Sequence, residues 1–191
     1  LFKNLLKELD YPLAAPSANI TTRISAVQAS DVEEEFGNKV KYVLDGGKCS
    51  IGIESTIIDL VGKPKILRLG GLDPSKIEKV LGLKINSNIN PKIKTAPGQS
   101  RLHYSPGIPL KMNAIKPKNE EAFILIKKRK TKLKNYFYIS KENNLNQAAK
   151  NLYTCLRKIK KKGYKSIAVE KIPNRGLGKT INDRLNRASK F

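Results

Sequence analysis

Leu145, Ala148, Ala149, Leu152, Leu156 and Ile159 recur at the three- and four-residue spacing of one helix face, with short strand-like runs on either side. Ala122 to Ile126 and Tyr136 to Ile139 precede the stripe; Gly163 stops it, and Ser166 to Glu170 follows. A final helix is expected from Gly178 to Ala188. A helix with one apolar face must bury it, and strand, strand, helix, strand, helix does so most simply as a small parallel α/β layer.

The leading part of the chain is organised differently. Leu1, Leu5, Leu6 and Leu9 mark a helix face closed by Tyr11-Pro12, as if the chain entered inside a domain. We therefore expect it to be the C-terminal part of a longer protein. Ala14-Ala15 reads as the end of a buried strand, Pro16 to Thr22 as a turn, and Ser25 to Phe36 as a surface helix whose acidic end, Asp31 to Glu35, is a solvated face. Val40 to Leu44 is expected as a strand. Thr56 to Val61 and Lys65 to Leu69 form two more, joined by Gly62-Lys63-Pro64, and Asp73 caps a short helix opened by Pro74. From Lys84 to Gly107, Asn, Pro, Ser and Lys replace any lasting period, which predicts a linker. Its tract from Ala96 to Pro106 gathers polar, aromatic and turn residues, as a working segment would. The expected divisions are thus 1–83, 84–107 and 108–191.

Charge and cysteine content bound the function. The formal net charge of +22 draws a chain towards phosphate-rich partners, although abundant Lys, Asn and Ile also point to compositional bias. Cys49 and Cys155 stand far apart with a single histidine, so neither a thiolate zinc site nor a disulfide framework is indicated, and reduced thiols are expected. No apolar run approaches the ~20 residues that span a bilayer. A soluble, cytoplasmic protein is expected.

The chemistry-bearing residues are small. Ser17 and Asn19 flank Ala18 after Pro16, so both side chains can meet a phosphate or ribose, or simply hold their own turn. Ser55 enters an apolar strand, where a hydroxyl faces a ligand or bonds a neighbouring carbonyl. Arg68 ends a strand before Gly70-Gly71, placing a bidentate donor beside backbone that an anion can approach closely; the alternative is a surface ion pair. Arg101, His103 and Tyr104 can close over a site or stack on a base. No nucleophile, base and orienter triad is present, no phosphate-loop spacing precedes a Lys-Ser/Thr pair, and Gly176-Leu177-Gly178-Lys179 shapes the start of the last helix. Asn182, Asp183, Arg184 and Arg187 give that helix a polar face for another domain or a partner.

Read together, these segments resemble a known family. Ala15-Pro16-Ser17-Ala18-Asn19 with Ser25, Leu44-Asp45-Gly46-Gly47, Gly52 to Asp59, and Ile66 to Gly71 look like the second half of a YrdC-like domain. His103-Tyr104-Ser105-Pro106, Gly176-Leu177-Gly178 and Ile181 to Leu185 are similar to the two-domain threonylcarbamoyl-AMP synthase family. The resemblance implies an α/β fold: the C-terminal part of a YrdC-like twisted-sheet domain (1–83), a linker that serves as active-site lid (84–107), and a Rossmann-like parallel α/β domain (108–191).

It also implies synthesis of threonylcarbamoyl-AMP and pyrophosphate from L-threonine, bicarbonate and ATP, for the threonylcarbamoyladenosine modification of tRNA. Ser17, Asn19, Ser25 and Arg68 would bind ATP, Ala15 and Ser55 the threonine, and Arg101, His103 and Tyr104 would form the lid. Magnesium would accompany ATP, held by phosphates and water, and the product would pass to a tRNA threonylcarbamoyl-transfer machinery. No side chain is assigned as catalytic and none as a metal ligand. Gln99 stands where the family more commonly has methionine, and Arg175 where it has an acidic residue. The family's basic phosphate motif lies in a preceding half, so the chain alone is expected to be inactive. Two rivals remain: a noncatalytic double-stranded RNA-binding or ribosome-associated module, and an accessory domain for carbamoyl transfer.

Overall fold

The computed structural model describes residues 1–131 and 133–190. The first region contains helices α1 (Phe2–Lys7) and α2 (Ala29–Phe36), strands β1 (Ile57–Asp59) and β2 (Lys65–Arg68), helix α3 (Pro74–Leu81) and strand β3 (Asn86–Ser87). The second contains β4 (Leu110–Lys111), β5 (Ala122–Leu125), β6 (Tyr136–Tyr138), α4 (Leu145–Lys161), β7 (Ile167–Val169) and α5 (Leu177–Ala188). Among the described residues, no helix is long and apolar enough to cross a membrane.

Residues 108–190 form the parallel layer expected of them. Their strands run in the order β4-β7-β5-β6 and every pairing is parallel. Asn144 caps α4 by accepting from the Gln147 amide, and the stripe Ala148, Ala149, Leu152, Leu156 and Ile159 is buried against β5 and β7 residues such as Ile124, Ile167 and Val169. Each such Leu or Ile contributes about 1.5–3 kcal/mol on burial. β4 was not foreseen, since two residues after Pro109 carry no period; only its pairing with β7 makes it a strand.

The first region is thinner. β1 and β2 pair antiparallel across the expected turn, and β3 joins β2 in parallel from inside the stretch expected to be linker. Its own buried cluster is Ile66, Leu69 and Ile85. Asp73 caps α3 through the Ser75 amide, as the sequence predicts, and Gly82 stands left-handed at its end. Ile24 and Val27 pack instead into the core of the second region, so the two bodies share a seam.

Four local expectations are corrected. Val40 to Leu44 is not a strand: no described strand lies beside it, and Tyr42 is 86% exposed. Ala14-Ala15 is likewise irregular and exposed. Ser25 to Gln28 lies outside any helix, because the Asp31 carboxylate accepts from the Val27 amide and α2 starts only at Ala29. The acidic end of α2 is not simply a solvated face either. Asp31 is buried, and Arg157 of α4 donates to Glu35 while approaching Asp31.

Candidate functional site

β1, β2, the turn around Pro16 and the linker frame a cavity of about 470 Å³. Ala15, Ser17 and Ser25 line it from the leading segment, Ser55 and Arg68 from the hairpin, and His103 and Tyr104 from the linker. Seven of the nine residues singled out from sequence therefore meet in one place. Asn19 and Arg101 are not among the lining residues. The Asn19 amide donates to the Ile20 and Arg23 carbonyls, which is the turn-holding alternative, and its Oδ1 is buried without a partner among the described residues. Arg101 is exposed.

Arg68 is already oriented. Its Nε donates to the Ser55 carbonyl at 3.0 Å, one Nη to Ser55 Oγ at 3.0 Å and the other to the Pro97 carbonyl at 3.4 Å. A guanidinium held this way joins the threshold of β1 to the linker while its charge faces the cavity. Gly70 makes this approach possible: a Cβ there would collide with the Ser55–Thr56 peptide. Gly98, at φ +85°, does the same for the linker, since a Cβ would meet the Tyr104 hydroxyl and the Arg68 stem.

The linker is fixed to both bodies. Ser105 donates its amide to the Thr22 carbonyl at 2.8 Å. Gln99, buried, donates to the Leu67 and Asn88 carbonyls and accepts from the Thr95 and Ala96 amides, so an amide at this position ties the linker to β2 through bonds that a thioether could not make. From α5, Arg187 donates to the Ser100 and Ile89 carbonyls and to Asn90 Oδ1. Tyr104 is 1% exposed, sits at φ +60° and has a hydroxyl without a partner among the described residues. A buried non-glycine residue held left-handed is costly, and such strain persists where neighbours enforce it. Burial pushes its hydroxyl up to about 12. His103 accepts from the Tyr104 amide through Nδ1, and burial, aided by surrounding arginines, holds its imidazole below the usual range. The imidazole is neutral near pH 7.

The residue that sequence reasoning missed is Glu54. Its carboxylate lines the cavity and accepts from Ser25 Oγ at 2.6 Å, from Tyr153 Oη at 2.9 Å and from Arg184 Nε at 3.0 Å. Burial alone would raise this carboxyl; the Arg184 charge and the hydroxyl donors outweigh it and hold the pKa below the ordinary value. Arg184, 1% exposed, also donates to the Leu69 carbonyl and to Asp183, and its guanidinium lies 4.6 Å over the Tyr104 ring. Tyr104 stacks in turn on Tyr153 at 5.9 Å. One carboxylate thus gathers the leading segment, α4 and α5, and its arginine partner packs on Tyr104 of the linker. The signal in the sequence was a single acid between Ile53 and Ser55; its partners lie 99 and 130 residues away, beyond any local pattern.

Chemically, the cavity offers hydroxyls, one oriented guanidinium and a neutral imidazole, with its carboxylate fully engaged. That arrangement suits binding of an anion and a small polar molecule under a cover, not nucleophilic catalysis.

Comparison with known proteins places the chain in a family. The family model described as "Threonylcarbamoyl-AMP synthase, C-terminal domain" matches residues 72–190, and the one described as "Telomere recombination" matches residues 1–70. The chain is similar to the threonylcarbamoyl-AMP synthase of Pyrococcus abyssi (32% identity over 98% of this chain and 60% of the relative) and to that of Bacillus subtilis (28%, 97% and 59%). It therefore spans about 60% of the length of the curated relatives it matches. The crystal structure of P. abyssi Sua5 complexed with L-threonine superposes with a TM-score of 0.81 at 30% identity, covering 95% of this chain and 58% of that one. With one model matched from Leu72 through α5 and a fold shared over nearly its whole length, the chain belongs to the threonylcarbamoyl-AMP synthase family.

Proposed function

We propose that this chain is the part of an L-threonylcarbamoyladenylate synthase that holds L-threonine and ATP beneath the inter-domain lid. The observation that carries this reading is the convergence of Ser17, Ser55, Arg68, His103 and Tyr104 on one cavity, from segments up to 87 residues apart. Ala15 and Ser55 contact the threonine; Ser17, Ser25 and Arg68 contact ATP; His103 and Tyr104 close the site. The L-threonine amine and bicarbonate condense to a carbamate with loss of one water. One of its oxygens attacks the α-phosphorus of ATP, and pyrophosphate leaves.

Such a reaction needs aligned anions, charge neutralisation and dryness rather than a protein nucleophile. Arg68 supplies fixed positive charge for the phosphates. The lid excludes water from a carbamate that would otherwise decompose. Magnesium fits this site as a companion of the triphosphate: Glu54, the one carboxylate lining the cavity, already accepts three hydrogen-bond donors, so the ion rests on phosphate oxygens and water. The enzyme works in the cytoplasm and hands its product to a tRNA threonylcarbamoyl-transfer machinery.

The test is pyrophosphate release that requires both L-threonine and bicarbonate. The 191-residue chain alone is expected to be silent. Preceded by the leading segment of the P. abyssi relative, it is expected to turn over, and Arg68→Ala should lower kcat/KM at least tenfold, on the order of the 1.5–3 kcal/mol of a charge-assisted hydrogen bond. Release indifferent to threonine in the joined protein would overturn the proposed activity.

A further inference from the structure

On the reading that the cavity holds ATP, we propose that Glu54 fixes Ser25 as a hydrogen-bond acceptor and that Ser25 reads a ribose hydroxyl of the nucleotide. A serine hydroxyl has one proton and two lone pairs, so what it offers a ligand depends on where that proton is already spent. Ser25 Oγ lies 2.6 Å from a Glu54 carboxylate oxygen, and Ser25 is the donor, because a carboxylate with Arg184 Nε at 3.0 Å is ionised and has no proton to give. That is the one hydrogen bond of Ser25 Oγ among the described residues, so its lone pairs stay open to the cavity that Ser25 lines. Ser55 is set the opposite way: its Oγ accepts from one Nη of Arg68 at 3.0 Å and keeps its proton for an anion. His103, accepting through Nδ1, carries its proton on Nε2.

The cavity is therefore polarised. Its Arg68 end presents donors and positive charge, which suit phosphate; its Ser25 corner presents lone pairs, which a phosphate oxygen cannot satisfy. Ser25 thus serves ATP at the nucleoside, and its place in the fold picks the sugar. Ser17, Ser25 and Glu54 line both this cavity and a neighbouring one of about 410 Å³, whose other walls include Ala18, Ala26, Val27 and Ile53. With the phosphates at Arg68 and the flat base against apolar side chains, the group at the divide is the ribose. The seam does not call for this bond: Ser25 and Glu54 belong to the same region, and Tyr153 and Arg184 already tie Glu54 to α4 and α5.

The test is nucleotide discrimination by the joined protein described above, read as calorimetric affinity for ATP, 2′-deoxy-ATP, 3′-deoxy-ATP and inosine triphosphate, which lacks the base amine. One deoxy analogue is expected to bind about fivefold or more weakly than ATP, and inosine triphosphate within about twofold of it. Ser25→Ala should weaken ATP and bring that deoxy analogue to within about twofold of it. Glu54→Gln should shrink the same ratio, since a carboxamide can turn its amino group to Ser25 and take over the donor's part. Arg184→Lys, which keeps a cation beside the carboxylate, should retain the discrimination. A Glu54 that only held the seam would lower every affinity alike and leave the ratios unchanged, and that result would overturn its assignment; Ser25→Ala decides the rest even where Glu54→Gln does not fold. Threonine-dependent pyrophosphate release with ratios indifferent to Ser25 would overturn the ribose contact and leave the activity standing, whereas Ser25-dependent ratios without release would do the reverse. Discrimination against inosine triphosphate that vanishes in Ser25→Ala would assign the base amine and overturn the ribose.

Discussion

The two regions of this molecule differ in how they are held. Residues 108–190 bury a continuous core between a parallel sheet and two long helices. The first region has a cluster of three buried residues and leaves Leu5, Leu13, Leu44, Val61 and Val80 exposed, yet it supplies most of the cavity lining. The site therefore sits on the weakly packed partner and takes its rigidity from the other. α4 and α5 reach across the seam with Tyr153, Arg157, Thr180, Arg184 and Arg187, and what they grip is backbone or carboxylate next to site residues. Loops can carry chemistry when a separate scaffold over-determines their positions.

The sharpest way to break that comparison is Arg184→Met. It strips Glu54 of its charge partner and frees the Leu69 carbonyl, and a buried charge left alone costs about 3–5 kcal/mol. Thermal unfolding should show a large loss together with weaker L-threonine binding; a loss below about 1 kcal/mol would mean that the seam is not what fixes the site. A cycle with Glu54→Gln isolates the pair's coupling from the rest of the seam.

Gly70→Ala comes next. Its Cβ must displace the Ser55–Thr56 peptide, at about 1–3 kcal/mol for forced overpacking, and calorimetry should show threonine affinity falling while the second region's near-UV signal stays native. A smaller effect is expected of Tyr153→Phe, which removes one donor from Glu54 without changing shape, about 1–2 kcal/mol.

Acidification separates the two regions without mutation. The folded-state pKa of Glu54 is depressed, so its contribution is complete above the ordinary carboxylate value and lost as pH falls through the lower folded value. His103, also depressed, contributes above its ordinary imidazole value and loses that as pH falls below it. Far-UV and near-UV spectra followed from pH 7 downwards should show the tyrosine environment at the seam changing before the secondary structure of α4. Glu54→Gln should flatten the acidic part of that change. One coincident transition in the variant and the parent would show that the regions do not come apart.

How much of this could be read from sequence followed from the range of the forces involved. Apart from β4, the elements of the second region were legible because each is encoded within its own window: a stripe on α4 and β-branched or aromatic strands. Val40 to Leu44 has a strand's composition and no described strand to pair with, so propensity misled. Of the site, the small residues around Ser17, Ser55 and Arg68 were visible through their order along the chain. Asn19 shows the limit of such reading, because its amide is spent on its own turn.

Sequence by itself determined the helices, the hairpin, the parallel layer and the family, since these depend on local pattern and motif order. Only the tertiary structure decided that Glu54 would join Ser25, Tyr153 and Arg184, and that Tyr104 would lie buried and left-handed beneath a guanidinium. The reason is physical: desolvated charge and ring stacking act over a few ångströms in space, and nothing in the spacing of residues along a chain fixes which distant side chain will be there.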